Sequence, residues 1–208
     1  MYYGERFNSI THLVGTILAF VGFGVLLTIA CQEYNWRIIS SFTVFGITLI
    51  LLYSMSTLYH SIQSVQLKNL FKKCDHACIY LLIAGSYTPY MMLSLKNDGG
   101  MIMLLFIWSL AIVGLSIDVL VKKRIVWLQI IIYLSMGWIC IFKFSELKNA
   151  LPVDGFNWLI IGGVAYTVGV VFYILDKKNK LNHAHGIWHL FVLAGSISQF
   201  ISIAFYVR

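Results

Sequence analysis

The chain has 208 residues, of which 60% are hydrophobic and 11% charged. With a mean hydropathy of +0.83 it lies outside the soluble globular range and reads as an integral membrane protein. Its formal net charge of +7 sits in short clusters flanking apolar runs, which points to anionic lipid headgroups as partners and argues against nucleic acid.

A helix needs about 20 apolar residues to cross a bilayer. Seven runs meet that length, at residues 10–31, 38–60, 74–95, 101–120, 125–142, 158–175 and 185–206. The first is preceded by Arg6, like a secretory signal, but it is long, contains His12 and ends in Thr28-Ile29-Ala30-Cys31, a poor cleavage or lipidation site. It reads as a retained first helix. The second closes on Ser56-x-x-x-His60, and the third opens at Asp75 and carries Pro89, which should kink it or open its hydrogen-bond ladder. The fourth and fifth are followed by the longest connection, residues 143–157, where Pro152 beside Asp154-Gly155 reads as a turn. The seventh opens on His185-x-x-x-His189.

These runs are continuously apolar over about twice the length of an alternating barrel strand, so a β-barrel is set aside. The expected architecture is an all-α membrane protein, one seven-transmembrane helix bundle spanning residues 1–208, multi-pass in the plasma membrane. Gly15, Gly46, Gly85, Gly114, Gly162, Gly163, Gly169 and Gly195 are candidate points of close helix approach. An odd helix count without an internal repeat argues against a carrier built of two equal halves.

Lysine and arginine set the orientation, because short cytoplasmic loops carry the positive excess. One side holds ten of them, Arg6, Lys68, Lys72, Lys73, Lys122, Lys123, Arg124, Lys177, Lys178 and Lys180, and the other holds five. The N-terminus is therefore expected in the cytoplasm and the C-terminus outside. In that topology His60, Asp75, His185 and His189 all fall at one depth, near the inner leaflet.

Ionisable groups within membrane spans are rare and usually functional. Residues four apart share a helix face, so His185 and His189 can reach one metal ion. With His60 they make a three-histidine set suited to zinc with an open fourth position, where bound water is acidified and becomes a nucleophile. Asp75 would hold or deprotonate that water, and Ser56 would donate a hydrogen bond to Asp75, the water or a substrate oxygen. Single polar groups near helix ends often only cap a terminus or bond a neighbouring helix; the grouping at common depth carries the metal reading. Glu5-x-x-Asn8-x-x-x-His12 starts the first helix on the same side and either floors the site or supplies a helix start, with Asn8 as cap. His12 ranks below His60 as a ligand and reads by itself as a histidine bonding a neighbouring helix. His76 and His183 read as interfacial. Cys31, Cys74, Cys78 and Cys140 form no C-x-x-C pair and read as packing residues, with no disulfide expected on the reducing side.

Glu5-x-x-Asn8, Ser56-Thr57-Leu58-Tyr59-His60, the run from Asp75 to Pro89 and the run from His185 to Ser196 together resemble the bacterial hemolysin III family, which belongs with the progestin and adipoQ receptors. The resemblance spans essentially the whole chain, in order. It implies a seven-helix bundle with a zinc site near the cytoplasmic leaflet, ligated by His60, His185 and His189, with Asp75 holding the zinc-bound water and Ser56 beside it. Two positions depart from the family pattern: Gly4 stands where many relatives carry an acid, and His183 is an additional histidine. Without an extended cytoplasmic region before the first helix, hormone reception is not carried over.

Three functions follow as expectations. The first is a zinc-dependent intramembrane hydrolase of a lipid amide or ester bond, suggested by the wider family's similarity to ceramidases. The second is a membrane-homeostasis or sensor protein with a structural zinc and no turnover. The third, cytolysis, is suggested by the family's name and is poorly suited to a tightly packed inner-membrane bundle.

Overall fold

A computed structural model describes residues 4–121 and 125–208, so the expected basic residues Lys122, Lys123 and Arg124 lie outside the described region. The helices are α1 (Arg6–Gln32), α2 (Trp36–Ser61), α3 (Val65–Pro89), α4 (Gly100–Leu120), α5 (Val126–Trp138), α6 (Phe144–Ala150), α7 (Val153–Lys177) and α8 (Ala184–Tyr206). A π-helical turn, Tyr90–Ser94, extends α3, and a 3-10 turn, Ile139–Lys143, joins α5 to α6. Seven helical segments are thereby long and apolar enough to cross a membrane, and no strand occurs among the described residues. Helices satisfy every backbone group internally, which hydrocarbon demands because it offers no water partners. Ile102, Val119 and Phe142 belong to the exposed apolar surface that would face lipid.

Two boundaries differ from the sequence reading. The third span begins at Val65, because helical hydrogen bonding does not require apolar side chains and the exposed Lys72 and Lys73 ride on its outer face. Asp75 therefore lies well inside α3, buried at 4% exposure, and does not open it. The fifth span continues through α6, reinforced by the Lys143 to Glu146 ion pair at 2.8 Å, so the long connection expected over 143–157 shrinks to Leu151 and Pro152. Pro152 then stands just before α7 and Asp154-Gly155 lie in its first turn, where a proline without an N–H and an acid are both well placed. Pro89 ends α3, and a π turn follows it: the Leu95 N–H reaches back to the Tyr90 carbonyl at 2.9 Å, one residue beyond the α-helical spacing.

The helices α1 with α2, α2 with α3, and α7 with α8 pack along much of their length, whereas α5 touches its neighbours sparingly. That looseness leaves a cavity of about 190 Å³, walled chiefly by α3, α5, α7 and α8, with Ile83, Ile130, Leu134, Ile160 and Val192 among its lining. From this wall the Tyr87 hydroxyl repairs the break in the fifth span. It faces the Met136 and Gly137 carbonyls at 2.9 Å each and accepts from the Cys140 N–H at 3.1 Å.

Of the glycines read as close-approach points, seven abut a side chain, whereas Gly163 has open space at the Cβ position and lines the cavity. Gly15 lies against the face of Tyr53, a buried ring whose hydroxyl donates to Ser196 Oγ at 2.8 Å. A methyl group there would push the ring off its partner. Gly15→Ala is therefore expected to destabilise the bundle by about 1–3 kcal/mol, and Gly163→Ala to stay within about 0.5 kcal/mol of wild type, both read as thermal unfolding midpoints in detergent. Equal midpoints for the two variants would refute this packing.

Candidate metal centre

Local structure brings four helix ends together. The chain leaves α7 at Lys177 and re-enters the bundle at Ala184 through His183, which has a left-handed φ of 60°. This short return sets His185 beside Asp176. Gly186 follows, and a Cβ there would collide with the Phe7 ring and approach Asn8 Oδ1 to 3.0 Å, so only glycine lets the first turn of α1 lie on the first turn of α8. His60 arrives from the last turn of α2.

One ring nitrogen from each of His60, His185 and His189 lies within 4.8 Å of the others. Their ring centroids are 5.0, 5.0 and 4.7 Å apart, and His60 and His189 are 2% and 0% exposed. The Nδ1 contacts settle which nitrogen carries the proton. His60 Nδ1 meets Glu5 Oε2 at 2.7 Å and His185 Nδ1 meets Asp176 Oδ2 at 3.1 Å. His189 Nδ1 meets the Asn8 carbonyl at 3.3 Å and Thr11 Oγ1 at 3.2 Å, and that hydroxyl already donates to backbone carbonyls. Carboxylates and carbonyls only accept, so each Nδ1 is the donor, and in the neutral imidazole each Nε2 then keeps its lone pair. All three Nε2 atoms are buried with no hydrogen-bond partner among the described residues. Buried polar atoms are seldom left so, and three bare imidazole nitrogens converging in this way fit a borderline divalent metal ion with an open coordination position.

Glu5 joins three elements. Its Oε2 also accepts from Asn8 Nδ2 at 2.8 Å, and its Oε1 faces Lys68 Nζ, from α3, at 3.3 Å. Partial burial works to raise the Glu5 carboxyl, but the hydrogen bonds from His60 and Asn8, with the charge of Lys68, outweigh it and pull the group down to about 2. Asn8 does not cap α1: Glu5 occupies the N-cap position, and Asn8 lies inside the first turn.

The remaining sequence-selected residues fall around this centre. Asp75 and His12 both line the cavity. Ser56 is fully buried one turn before His60, its Oγ without a hydrogen-bond partner among the described residues. His12 does not bond a neighbouring helix through its nitrogens; it stacks on His189 with centroids 3.6 Å apart. His76 is 7% exposed; its Nδ1 bonds the Lys72 carbonyl, and Tyr133 donates to the His76 carbonyl at 3.0 Å. All four cysteines are free thiols.

Asp176 and Thr11 escaped the sequence reading. Asp176 falls one residue beyond the apolar run ending at 175, and no helical spacing ties it to His185 across a turn. The usable signal was an acid at the end of an apolar run, on the side that holds the His185-x-x-x-His189 pair. Thr11 carried no signal, since a threonine in an apolar helix usually bonds its own backbone.

The sequence profile of the family described as Haemolysin-III related matches residues 2–200. Among curated proteins, "Hemolysin-3 homolog" of Bacillus subtilis (strain 168) is 42% identical, covering 97% of this chain and 93% of its own. "Hemolysin-3" of Bacillus cereus is 39% identical over 98% of this chain and 91% of its own. "Monocyte to macrophage differentiation factor" of Homo sapiens is 29% identical over 97% of this chain and 83% of its own. No solved structure gives a significant match.

Elemental analysis of the purified protein should find near-stoichiometric metal, lost in His60→Ala, His185→Ala and His189→Ala. Asp176→Ala should keep the fold but weaken metal retention about 10- to 100-fold in chelator competition, the usual cost of removing a partner that orients a ligand imidazole. A metal-free wild-type protein from chelator-free preparation would refute the centre.

Proposed function

The chain belongs to the haemolysin-III-related family, and from that premise we propose that this multi-pass membrane protein is a zinc-dependent hydrolase of a lipid amide or ester bond. The observation that carries the reading is the convergence of three bare histidine Nε2 atoms beside His12, which stacks on His189 and, with Asp75, lines the neighbouring cavity. Three histidines are the donor set of hydrolytic zinc sites that keep one position open. When bound, a zinc ion supplies Lewis acidity and lowers the pKa of water toward neutrality.

The chain's own residues provide the rest. The cavity, apolar over most of its wall, takes the acyl chain and keeps water from the substrate's tail. Asp75 takes the proton from the attacking water and passes it to the leaving amine or alcohol. Ser56 donates a hydrogen bond to the substrate oxygen as negative charge gathers there. Glu5, Asp176, Thr11 and the Asn8 carbonyl hold the imidazoles in the required tautomer. In this reading the N-terminus faces the cytoplasm, and Lys72, Lys73, Lys178 and Lys180, exposed at the same end as the centre, meet anionic headgroups.

A second reading has a specific observation in its favour: the three ligands come from α2 and α8 and their Nε2 atoms are all buried, as in a structural metal site that pins helices. In that case the protein would sense or adjust bilayer state without turnover. The name given to the Bacillus relatives would extend here as cytolysis, for which the buried histidine centre supplies no mechanism.

Asp75→Ala separates the two main readings. It should retain metal and lose at least about 100-fold in turnover of long-chain N-acyl or ester lipids presented in mixed micelles. Unchanged turnover by the variant would remove Asp75 from the mechanism, and a wild-type protein that holds metal yet hydrolyses none of the panel would leave the metal a structural role.

A further inference from the structure

The metal accounts for one bare nitrogen on each ligand histidine and leaves a fourth ring unexplained. His12 is 2% exposed, and neither its Nδ1 nor its Nε2 has a hydrogen-bond partner among the described residues. Its position is fixed by two rings. It stacks on His189 at a centroid distance of 3.6 Å and an interplanar angle of 22°, and meets Tyr53 edge-on at 5.1 Å and 78°. The stack explains why His12 is not a fourth ligand. An imidazole binds a metal in its own ring plane, so an ion on His189 lies in the His189 plane, whereas the lone pair of a ring stacked above it runs nearly parallel and passes the ion by.

Among the described residues that line the cavity, His12 supplies the imidazole and Asp75 the carboxylate. A neutral imidazole carries one N–H and one lone pair, so it can donate to one ligand atom and accept from another. The cavity wall is mostly apolar, with hydroxyl and amide groups such as Ser86, Thr167 and Gln199 spread along it, and a buried ring with both nitrogens unpartnered beside such a wall is the arrangement that fixes one polar group of a largely apolar ligand. The mostly apolar remainder of the wall suits the tail of such a ligand, with its polar head at the histidine end.

We propose that His12 is a substrate-contacting residue, whose neutral imidazole donates an N–H to the acyl oxygen of a long-chain lipid lying in the cavity. This rests on the hydrolase reading of the centre and deepens it. The other ring nitrogen is left to accept from an N–H or O–H of the headgroup. Stacking on His189 couples the position of that donor to the metal-bound ring, so the acyl carbon is presented to the centre with its oxygen already held. No proton is transferred by His12; its part is orientation of the acyl group, before and after bond cleavage.

The test uses palmitate, the carboxylate that hydrolysis of a palmitoyl lipid would release, with full-length metal-containing protein in lipid nanodiscs. Trp138 and Trp188 line the cavity and give a fluorescence readout of binding. His12→Phe keeps a flat ring to stack but has no N–H, and His12→Gln restores a donor. Metal content should be unchanged in both. Palmitate should bind about 10- to 100-fold more weakly to His12→Phe, the scale of one hydrogen bond to a charged acceptor, and His12→Gln should recover most of the loss. Equal binding by wild type and His12→Phe overturns the proposal while leaving the hydrolase reading intact. Loss of metal in both variants overturns it in favour of a role inside the metal centre. Failure of metal-loaded wild type to bind palmitate overturns it together with the hydrolase reading.

Discussion

The structure turns on where three protons sit. Each ligand histidine commits its Nδ1–H to an acceptor on another element or another turn: His60 to Glu5, His185 to Asp176, His189 to the backbone and Thr11 of α1. The acceptors cannot donate, so the bare nitrogens are turned inward together. Within a low-dielectric bundle such hydrogen bonds are strong and their absence is costly, which makes them specifying contacts. They tie α1, α2, α7 and α8 at one end of the molecule. Lys68 extends the same network to α3 through Glu5.

That end is closely packed and the rest of the bundle is not uniformly so. Without a hydrophobic drive between helices in lipid, close packing depends on small residues and polar contacts. Glycines let α1, α2, α7 and α8 approach. The fifth span has fewer such contacts, is interrupted by a 3-10 turn and is held to α3 by the Tyr87 hydroxyl. A cavity follows from this imbalance, and it reaches Asp75 and His12. Rigidity at the centre and space beside it are thus two results of one distribution of small and polar residues.

Much of the centre could be read from the chain because helical spacing is local. His185 and His189 share a face by covalent geometry, as do Ser56 and His60, and a common depth follows once the spans are counted. Span limits were less legible. A hydropathy count stops at the first lysine, whereas the helix continues as long as its hydrogen bonds do, so the start of α3 and the whole of α6 were missed. The early end of the sixth apolar run similarly left Asp176 outside the site. His12 was visible but its place was not, since nothing in the spacing from Glu5 tells which neighbouring helix its ring will meet.

The sequence by itself determined the class of molecule and the donors. Its long apolar runs require seven helices in a membrane, and the histidines among them are too costly to be incidental. Tertiary structure decided which nitrogen of each histidine is free, that Asp176 and Thr11 stand behind the ligands, and that His12 stacks on His189. The reason is physical: periodicity fixes the face of a residue on its own helix, but tautomer, partner and cavity depend on how far helices approach, and that distance is set by side chains from several elements at once.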